Sequence, residues 1–265
     1  MKRRQFFRVV AAAGAGVAVG GTSWGLHERN DLGVTTAILP VDGLPAEFKG
    51  FKIALLTDLH RSALVSADLI DRAVSAALAA RPDIVVLGGD YVTNFDTRFA
   101  GPVADALGRL TAPAGVIAVL GNHDDERAVP AALTARGIRV LREQRMRLEM
   151  GGRSVDFVGI GYWTRGEARI GALIDREATP ILVAHDPRRM AEAEALSIPL
   201  VLSGHTHGGQ VVVPPFGPIN RFRFPITQGR LRRNNTTLFV SRGIGTIYLP
   251  VRINCPPEVA VLTLA

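Results

Sequence analysis

From residue 51 onward the chain alternates short apolar runs with longer segments of mixed polarity. Five of these runs are almost wholly apolar and bounded by glycine or polar residues: Lys52–Leu56, Ile84–Leu87, Val116–Leu120, Ile181–Ala184 and Leu200–Leu202. Such runs are typical of strands that are buried on both faces of a parallel sheet. Between the first two, apolar residues at helical spacing predict a helix over Ser66–Ala80, with Ser66 as its N-cap.

The same reasoning predicts the layers of the fold. Further helices are expected over Arg98–Leu110 and Glu126–Arg136, so the first half repeats strand and helix, which predicts a parallel sheet with right-handed crossovers. In the second half, Arg145–Met150 and Ser154–Ile160 flank two glycines as a hairpin would, and strands dominate from residue 210 to residue 264. We therefore predict an α/β fold, a four-layer α/β/β/α sandwich of two mixed sheets with helices outside.

The first thirty residues have a different character. Residues 1–8 are basic, residues 9–19 are a weakly apolar run of Ala, Gly and Val, and small residues follow. This order is that of an export signal, and the run is too short for an ordinary membrane-spanning helix. The segment Lys2–Arg8 resembles a twin-arginine signal. The alternative is a basic amphipathic N-terminus of a cytosolic protein.

The leader implies where the protein works and how it is organised. We expect residues 1–30 to be the signal, residues 31–50 a linker and edge strand, and residues 51–265 the functional domain. The expected partner is the twin-arginine export machinery. The expected location is the periplasm or cell envelope, with a membrane tether if the leader is retained.

Composition narrows the classes of function. The 265 residues are 47% hydrophobic, which suits a globular domain with a sizeable core. The net charge is +7, but residues 1–30 contribute +4 of it, five Lys or Arg against Glu28. The remaining +3 gives no reason to expect a nucleic-acid partner. Cys255 is the only cysteine, so disulfide scaffolds and thiolate metal clusters are excluded.

Each of the five apolar runs is followed closely by residues that can bind a metal ion. They are Asp58 and His60, Asp90, Asn122 and His123, His185, and His205 and His207. The carboxyl ends of parallel strands meet at one edge of a sheet, so these side chains should gather there. The intervals 90 − 58 and 122 − 90 are both 32 residues, about one strand-helix-strand repeat. Structural histidines would be more scattered, and we predict a metal site.

In chain order these residues resemble the signature of the calcineurin-like metallophosphoesterases. The signature reads here as Asp58-Leu59-His60, Gly89-Asp90, Gly121-Asn122-His123-Asp124, His185 and Gly204-His205-Thr206-His207. The resemblance implies two divalent ions bridged by Asp90. It assigns one ion to Asp58, His60 and His207, and the other to Asn122, His185 and His205. Such a mixture of imidazole, carboxylate and amide suits manganese, iron or zinc.

The resemblance also implies a reaction. His123, left without a metal, is expected to protonate the leaving oxygen, with Asp124 orienting its ring. The expected activity is hydrolysis of a phosphodiester or pyrophosphate bond, and the leader indicates the bacterial cell-envelope branch, with a lipid-linked or nucleotide-sugar substrate. Gly161 precedes Tyr162-Trp163 where that branch often has acidic residues, which leaves the substrate open. The alternatives are an exported nuclease or cyclic-nucleotide phosphodiesterase of the same fold and a non-catalytic metal-binding scaffold.

Arginines mark a second candidate feature. Residues 195–257 contain seven Arg and neither Asp nor Glu. The cluster from Arg221 to Arg233 is interleaved with Phe and Leu, which predicts contact with an anionic membrane surface or a lipid-linked phosphate. Arg221 and Arg223 are candidate substrate-binding residues, as is Arg61, which directly follows His60. The alternative is that these arginines cover apolar surface with their stems.

Overall fold

The computed structural model describes residues 23–218 and 220–265, and fourteen strands lie within them. In chain order they are β1 (Gly33–Leu39), β2 (Lys52–Leu56), β3 (Ile84–Leu87), β4 (Val116–Ala118), β5 (Arg139–Val140), β6 (Gln144–Met150), β7 (Arg153–Ile160), β8 (Thr179–Ala184), β9 (Leu200–Ser203), β10 (Val212–Val213), β11 (Gly217–Pro218), β12 (Gly229–Arg233), β13 (Thr236–Val240) and β14 (Glu258–Leu264).

Twelve of these strands form two six-stranded mixed sheets. The first has the order β1-β14-β2-β3-β4-β5, and only the β14–β2 pair is antiparallel. The second has the order β12-β13-β9-β8-β7-β6, with antiparallel pairs at both edges. Strands β10 and β11 form a separate two-stranded ribbon.

The two sheets pack face to face, with helices on the outside. Helices α1 (Ala67–Ala79), α2 (Ala100–Leu107) and α3 (Ala128–Thr134) cover the first sheet, and α4 (Glu167–Gly171) and α5 (Met190–Ala195) cover the second. Along β2, Ile53 points into the core between the sheets and Ala54 points towards the helices. Both faces of the strand are buried, which explains its continuous apolar run. The predicted four-layer sandwich is confirmed.

Helix α1 begins where the sequence predicts, because the Ser66 side chain accepts a hydrogen bond from the Leu69 N–H at 3.2 Å. The next two helices are shorter than predicted. The Asp96 side chain caps a 3-10 turn at Thr97–Phe99, so α2 starts two residues later than expected. The Asp125 side chain accepts the N–H of Arg127 and of Ala128, which delays α3.

Residues 23–28 are helical and pack against residues 251–255. Arg252 donates its backbone N–H to Gly25 O at 3.0 Å. The buried Glu28 carboxylate accepts the N–H groups of Asn254 and Cys255 at 3.0 and 2.6 Å. Within the described part of the chain, every helix is too short or too polar to cross a bilayer. Of the predicted signal, residues 1–30, residues 1–22 lie outside the described residues.

Candidate metal centre

The polar residues that follow the buried strands meet between the two sheets. They form two groups that could each hold a metal ion, Asp58 with His60 and His207, and Asp90 with His185 and His205. Within each group the potential ligand atoms lie within 4.8 Å of one another. Each group draws ligands from both sheets, because the residues after β2 and β3 face those after β8 and β9.

Asp90 lies between the two groups. Its Oδ2 is 3.4 Å from His60 Nε2 in the first group and 3.1 Å from His185 Nε2 in its own. Its Oδ1 accepts the backbone N–H of His123 at 2.8 Å. One carboxylate thus faces ligands of both groups.

The donor atoms are arranged for a cation. His185 Nδ1 lies 2.7 Å from Gly88 O, so the neutral ring carries its proton on this nitrogen and would offer the Nε2 lone pair to a cation. His185 Nε2 and Asn122 Oδ1 are buried, and neither has a hydrogen-bond partner among the described residues. Unsatisfied buried polar atoms are rare in proteins, and these two are accounted for if each binds a metal ion.

The charges in the site give the same picture. Burial raises the pKa of Asp58 above its ordinary value, and His185 offsets this only in part. Burial acts on Asp90 in the same direction, but His185 and His60 outweigh it and hold the pKa of Asp90 well below its usual range. Although burial opposes protonation of His185, the charge of Asp90 raises the pKa of that imidazole to about 10. The buried carboxylates are therefore stabilised in their charged form by nearby positive charge. Divalent cations can supply that charge in place of imidazole protons.

The backbone at the site is held in an uncommon conformation. Five potential ligands have positive φ angles, namely Asp58 (54°), His60 (47°), Asp90 (58°), His205 (71°) and His207 (53°). Non-glycine residues rarely have positive φ angles. A cluster of five such residues is typical of a functional site.

Two glycines of the motifs allow the close approach of the loops. A Cβ on Gly121 would lie 2.1 Å from Asp90 Oδ1, and a Cβ on Gly204 would lie 2.3 Å from Asp58 Oδ2. Side chains at these positions would displace the carboxylates.

His123 lies beside the two groups at the floor of a cleft. Its ring packs edge-on against that of His60, with centroids 5.1 Å apart. His123 Nδ1 accepts the backbone N–H of Asn94 at 3.2 Å, so the neutral ring carries its proton on Nε2. Burial lowers the pKa of His123. A neutral imidazole with a fixed Nε2–H can donate a hydrogen bond to the leaving oxygen of a substrate in the cleft and stabilise the negative charge that develops there.

Asp124 does not have the role that the sequence suggested. Its carboxylate accepts the backbone N–H groups of Asp90, Tyr91 and Gly121 at 2.8, 2.7 and 2.9 Å, and it makes no hydrogen bond to His123. Burial raises the pKa of Asp124 to about 6. Asp124 therefore joins the loop after β3 to the loop after β4, whereas the ring of His123 is oriented by Asn94.

The predicted arginines fall in three different places. Arg223 lines the cleft, whose volume is about 450 Å³. Arg221 lies outside it and stacks over Phe222, 4.5 Å from the ring centroid. Arg61 is not among the residues that line the cleft; its guanidinium donates to Val65 O at 2.7 Å and lies over the Phe99 ring, and its contact with a phosphate stays a prediction. Because an arginine side chain is long and flexible, the sequence does not predict which way it points.

Arg188 was missed from the sequence and lines the same cleft. Its Nε and Nη2 donate to the two oxygens of Asp186 at 2.9 and 2.7 Å, and Nη2 lies 3.3 Å from the Tyr162 hydroxyl. The guanidinium also sits over Phe224, 5.6 Å from the ring centroid. Its position three residues after His185 was the available signal. These contacts hold Arg188 as a fixed positive charge in the cleft wall.

The strand-end ligands on a four-layer sandwich define a metallophosphoesterase. The chain matches the calcineurin-like phosphoesterase family over residues 51–209 and belongs to it. It is a metal-dependent phosphoester hydrolase.

Two bacterial relatives match most of the chain. The uncharacterized metallophosphoesterase YkuE of Bacillus subtilis is 31% identical over 280 positions, which cover 100% of this chain and 98% of the relative. The phosphodiesterase YaeI of Escherichia coli is 32% identical, covering 81% of this chain and 82% of its own length. Among solved structures, the Thermus thermophilus sulfate thiohydrolase SoxB in complex with glycerol has a TM-score of 0.52 at 14% identity, with coverage of 83% of this chain and 57% of that one. That likeness concerns the fold alone.

Proposed function

We propose that the protein hydrolyses a phosphodiester or pyrophosphate bond at a dinuclear metal centre in which Asp90 is the shared ligand. The observation that carries the proposal is the position of Asp90 Oδ2, 3.4 Å from His60 Nε2 and 3.1 Å from His185 Nε2. These two nitrogens belong to different ligand groups. A carboxylate between two cation sites could be shared by the ions that the two ligand groups would hold.

The donor set fits the ions proposed for it. One ion is assigned to Asp58, His60 and His207, and the other to Asn122, His185 and His205. Imidazole, amide and carboxylate donors favour manganese, iron or zinc over magnesium and calcium. When bound, two such ions supply Lewis acidity at the phosphoryl group and a water of lowered pKa.

The chain's own residues account for the rest of the chemistry. His123 donates its Nε2–H as a hydrogen bond to the leaving oxygen and stabilises the charge that develops there, and the Asn94 N–H keeps the ring in that tautomer. Arg188, held by Asp186, and Arg223 offer positive charge to the non-reacting phosphate oxygens. The guanidinium groups of Arg188 and Arg223 suit a pyrophosphate, or a phosphodiester that carries a second negative group.

The proposed substrate is a lipid-linked or nucleotide-sugar component of the cell envelope, and the proposed location is the periplasm or envelope after twin-arginine export. The basic and apolar leader of residues 1–19 supports the location. The cleft supports the substrate class, because Phe224, Tyr248 and Leu249 line it beside the arginines. Aromatic and aliphatic groups can pack against an acyl chain or a base while the arginines bind phosphate.

Metal analysis of the purified full chain tests the dinuclear centre. Wild type should hold two manganese, iron or zinc ions per chain, and Asp90→Asn should hold one or none and lose turnover, because the amide has no negative charge and only one oxygen to share between two cations. Asp68→Asn is the matched control, since the Asp68 side chain is 77% exposed on α1. An Asp90→Asn protein with two ions and full turnover would refute the proposal. A screen of phosphodiesters, nucleotide-diphosphate sugars and phosphomonoesters then ranks substrates.

A further inference from the structure

Large apolar side chains face solvent in three segments that line the cleft or adjoin its lining residues in sequence. Phe216 is 68% exposed, Phe222 87%, Tyr248 78% and Leu249 62%. We call residues 213–218, 220–224 and 247–249 the rim. Isolated exposed apolar residues are common, but a group of large ones beside one opening marks an interaction surface.

Hydrogen bonds hold the parts of the rim together. The Gln210 side-chain amide donates to Ile247 O and Leu249 O at 3.1 and 3.0 Å, and its oxygen accepts the Ile247 N–H at 2.9 Å. Strand β10 pairs with β11, and its Val212 N–H donates to Ile253 O at 2.9 Å. The apolar side chains are therefore presented by a fixed framework.

Part of the rim also forms the wall of the cleft. Arg223, Phe224, Tyr248 and Leu249 line the opening that leads to His123. The Tyr248 ring is 6.4 Å from that of His123, centroid to centroid, although most of its surface is exposed. A surface that binds the rim would therefore lie over the opening to the metal centre.

The charge of the rim is positive. Arg221 stacks over Phe222, and Arg223 lies next to it. The surrounding sequence has no acidic residue between positions 195 and 257. Two other arginines of the predicted cluster are turned elsewhere, since Arg230 donates to Ile38 O and Arg232 pairs with Asp42, both at 2.7 Å. The combination of arginine and exposed aromatic rings in the rim suits an anionic lipid interface.

The N-terminal segment joins the domain beside the rim. Residues 23–28 pack on residues 251–255, which directly follow the last rim segment and its proline. Trp24 and Leu26 in this segment are 57% and 40% exposed. The apolar run of residues 9–19 precedes it closely in the sequence. The first described residues of the chain and the rim thus lie on neighbouring parts of the surface.

We propose that the rim docks on the surface of an anionic lipid bilayer, so that the cleft opens towards the lipid headgroups. Arg221 and Arg223 contact headgroup phosphates, and Phe216, Phe222 and Leu249 enter the boundary between headgroups and acyl chains. The docking concerns where the molecule works and does not depend on the reaction that it catalyses. Its failure would leave the dinuclear centre, which is tested by metal content, unaffected.

Environment-sensitive dyes on the full chain test the orientation. Cys255 is 1% exposed, so a cysteine introduced at the surface can be labelled selectively. A dye at Phe216→Cys should shift to the blue on vesicles of phosphatidylglycerol and phosphatidylcholine. A dye at Met150→Cys, in the β6–β7 hairpin at the opposite end of the sandwich, should not shift. Anchoring by the leader alone would shift neither dye, and equal or absent shifts would overturn the proposal.

A double variant tests the chemistry of the contact. Arg221→Ser/Phe222→Ser should bind these vesicles about tenfold more weakly than wild type, while turnover of a soluble nitrophenyl phosphodiester is retained. The matched control is Met150→Ser/Arg153→Ser, which removes one apolar and one basic side chain far from the rim. Added salt should weaken wild-type binding. Equal binding by the rim variant and wild type, or equal wild-type binding to neutral vesicles, would overturn the proposal and indicate a protein partner instead.

Discussion

Neighbouring residues in this site act on different partners. His123 and Asp124 are adjacent in sequence, yet the ring of one faces the cleft while the carboxylate of the other binds backbone N–H groups behind it. Their substitution should therefore have different consequences. The two variants separate proton transfer from support of the metal ligands.

For His123→Gln we expect two bound ions and a turnover lowered by about 10²–10⁴-fold on substrates with poor leaving groups, because the proton donor is lost. Nitrophenolate needs little protonation, so the loss should be smaller with nitrophenyl esters. Metal analysis and a series of leaving groups measure both effects. Equal losses across the series would show that His123 is not the acid.

For Asp124→Asn we expect a loss of metal and of stability with an unchanged dependence on the leaving group. An amide cannot accept all the N–H groups that the carboxylate binds, so about 1–3 kcal/mol of unfolding free energy should be lost. Asp125→Asn is the control, because its half-buried side chain accepts the Arg127 and Ala128 N–H groups where α3 begins and an amide oxygen can do the same. If the dependence on the leaving group changed in Asp124→Asn, Asp124 would have a role in the departure of the leaving group.

At the scale of elements, the pattern of the sequence predicts what depends on burial. Strands β2 and β3 have the predicted bounds, because both faces of each are covered and each apolar run ends where the polar loop of the site begins. The gathering of the ligands followed from strand order alone. The starts of α2 and α3 did not, because they depend on aspartate side chains that compete for the first N–H groups. Nor did the direction of Arg61 or Arg188, which tertiary contacts decide.

The cap of α1 gives a prediction for a single element. Ser66→Ala should lower the unfolding free energy by about 1 kcal/mol, because the Leu69 N–H loses its acceptor. Ser75→Ala in the same helix should be neutral or slightly stabilising, because Ser75 lies in the helix interior and donates to Asp71 O four residues earlier. Denaturant titration of both variants measures the difference. Equal effects would show that capping is not what fixes the start of α1.

At the scale of the whole molecule, the metal centre lies where the two sheets meet. Each ligand group takes residues from both sheets. Ions bound there would link the sheets in the folded state and have no such site in the unfolded chain. Binding energy would therefore add to the stability of the sandwich.

Chelation should accordingly lower the melting temperature of the wild-type protein, by about 5–10 °C for ions that bind well above their dissociation constants. Asp90→Asn, which lacks the negative charge shared between the two ligand groups, should show a smaller change. Differential scanning calorimetry with and without chelator measures both. A wild-type melting temperature that is the same in both conditions, with activity lost on chelation, would mean that the ions serve chemistry alone.

Strand β14 has a consequence for the order in which the protein can fold. It lies between β1 and β2, and its pairing of Gly33 with Glu258 joins positions 258 − 33 = 225 residues apart. Until residues 258–264 are in place, β1 has no neighbour and β2 presents an open row of backbone donors and acceptors. Closure of the first sheet is thus a late and slow event. A chain interrupted before residue 258 would keep this unpaired strand edge. Such fragments are therefore expected to aggregate.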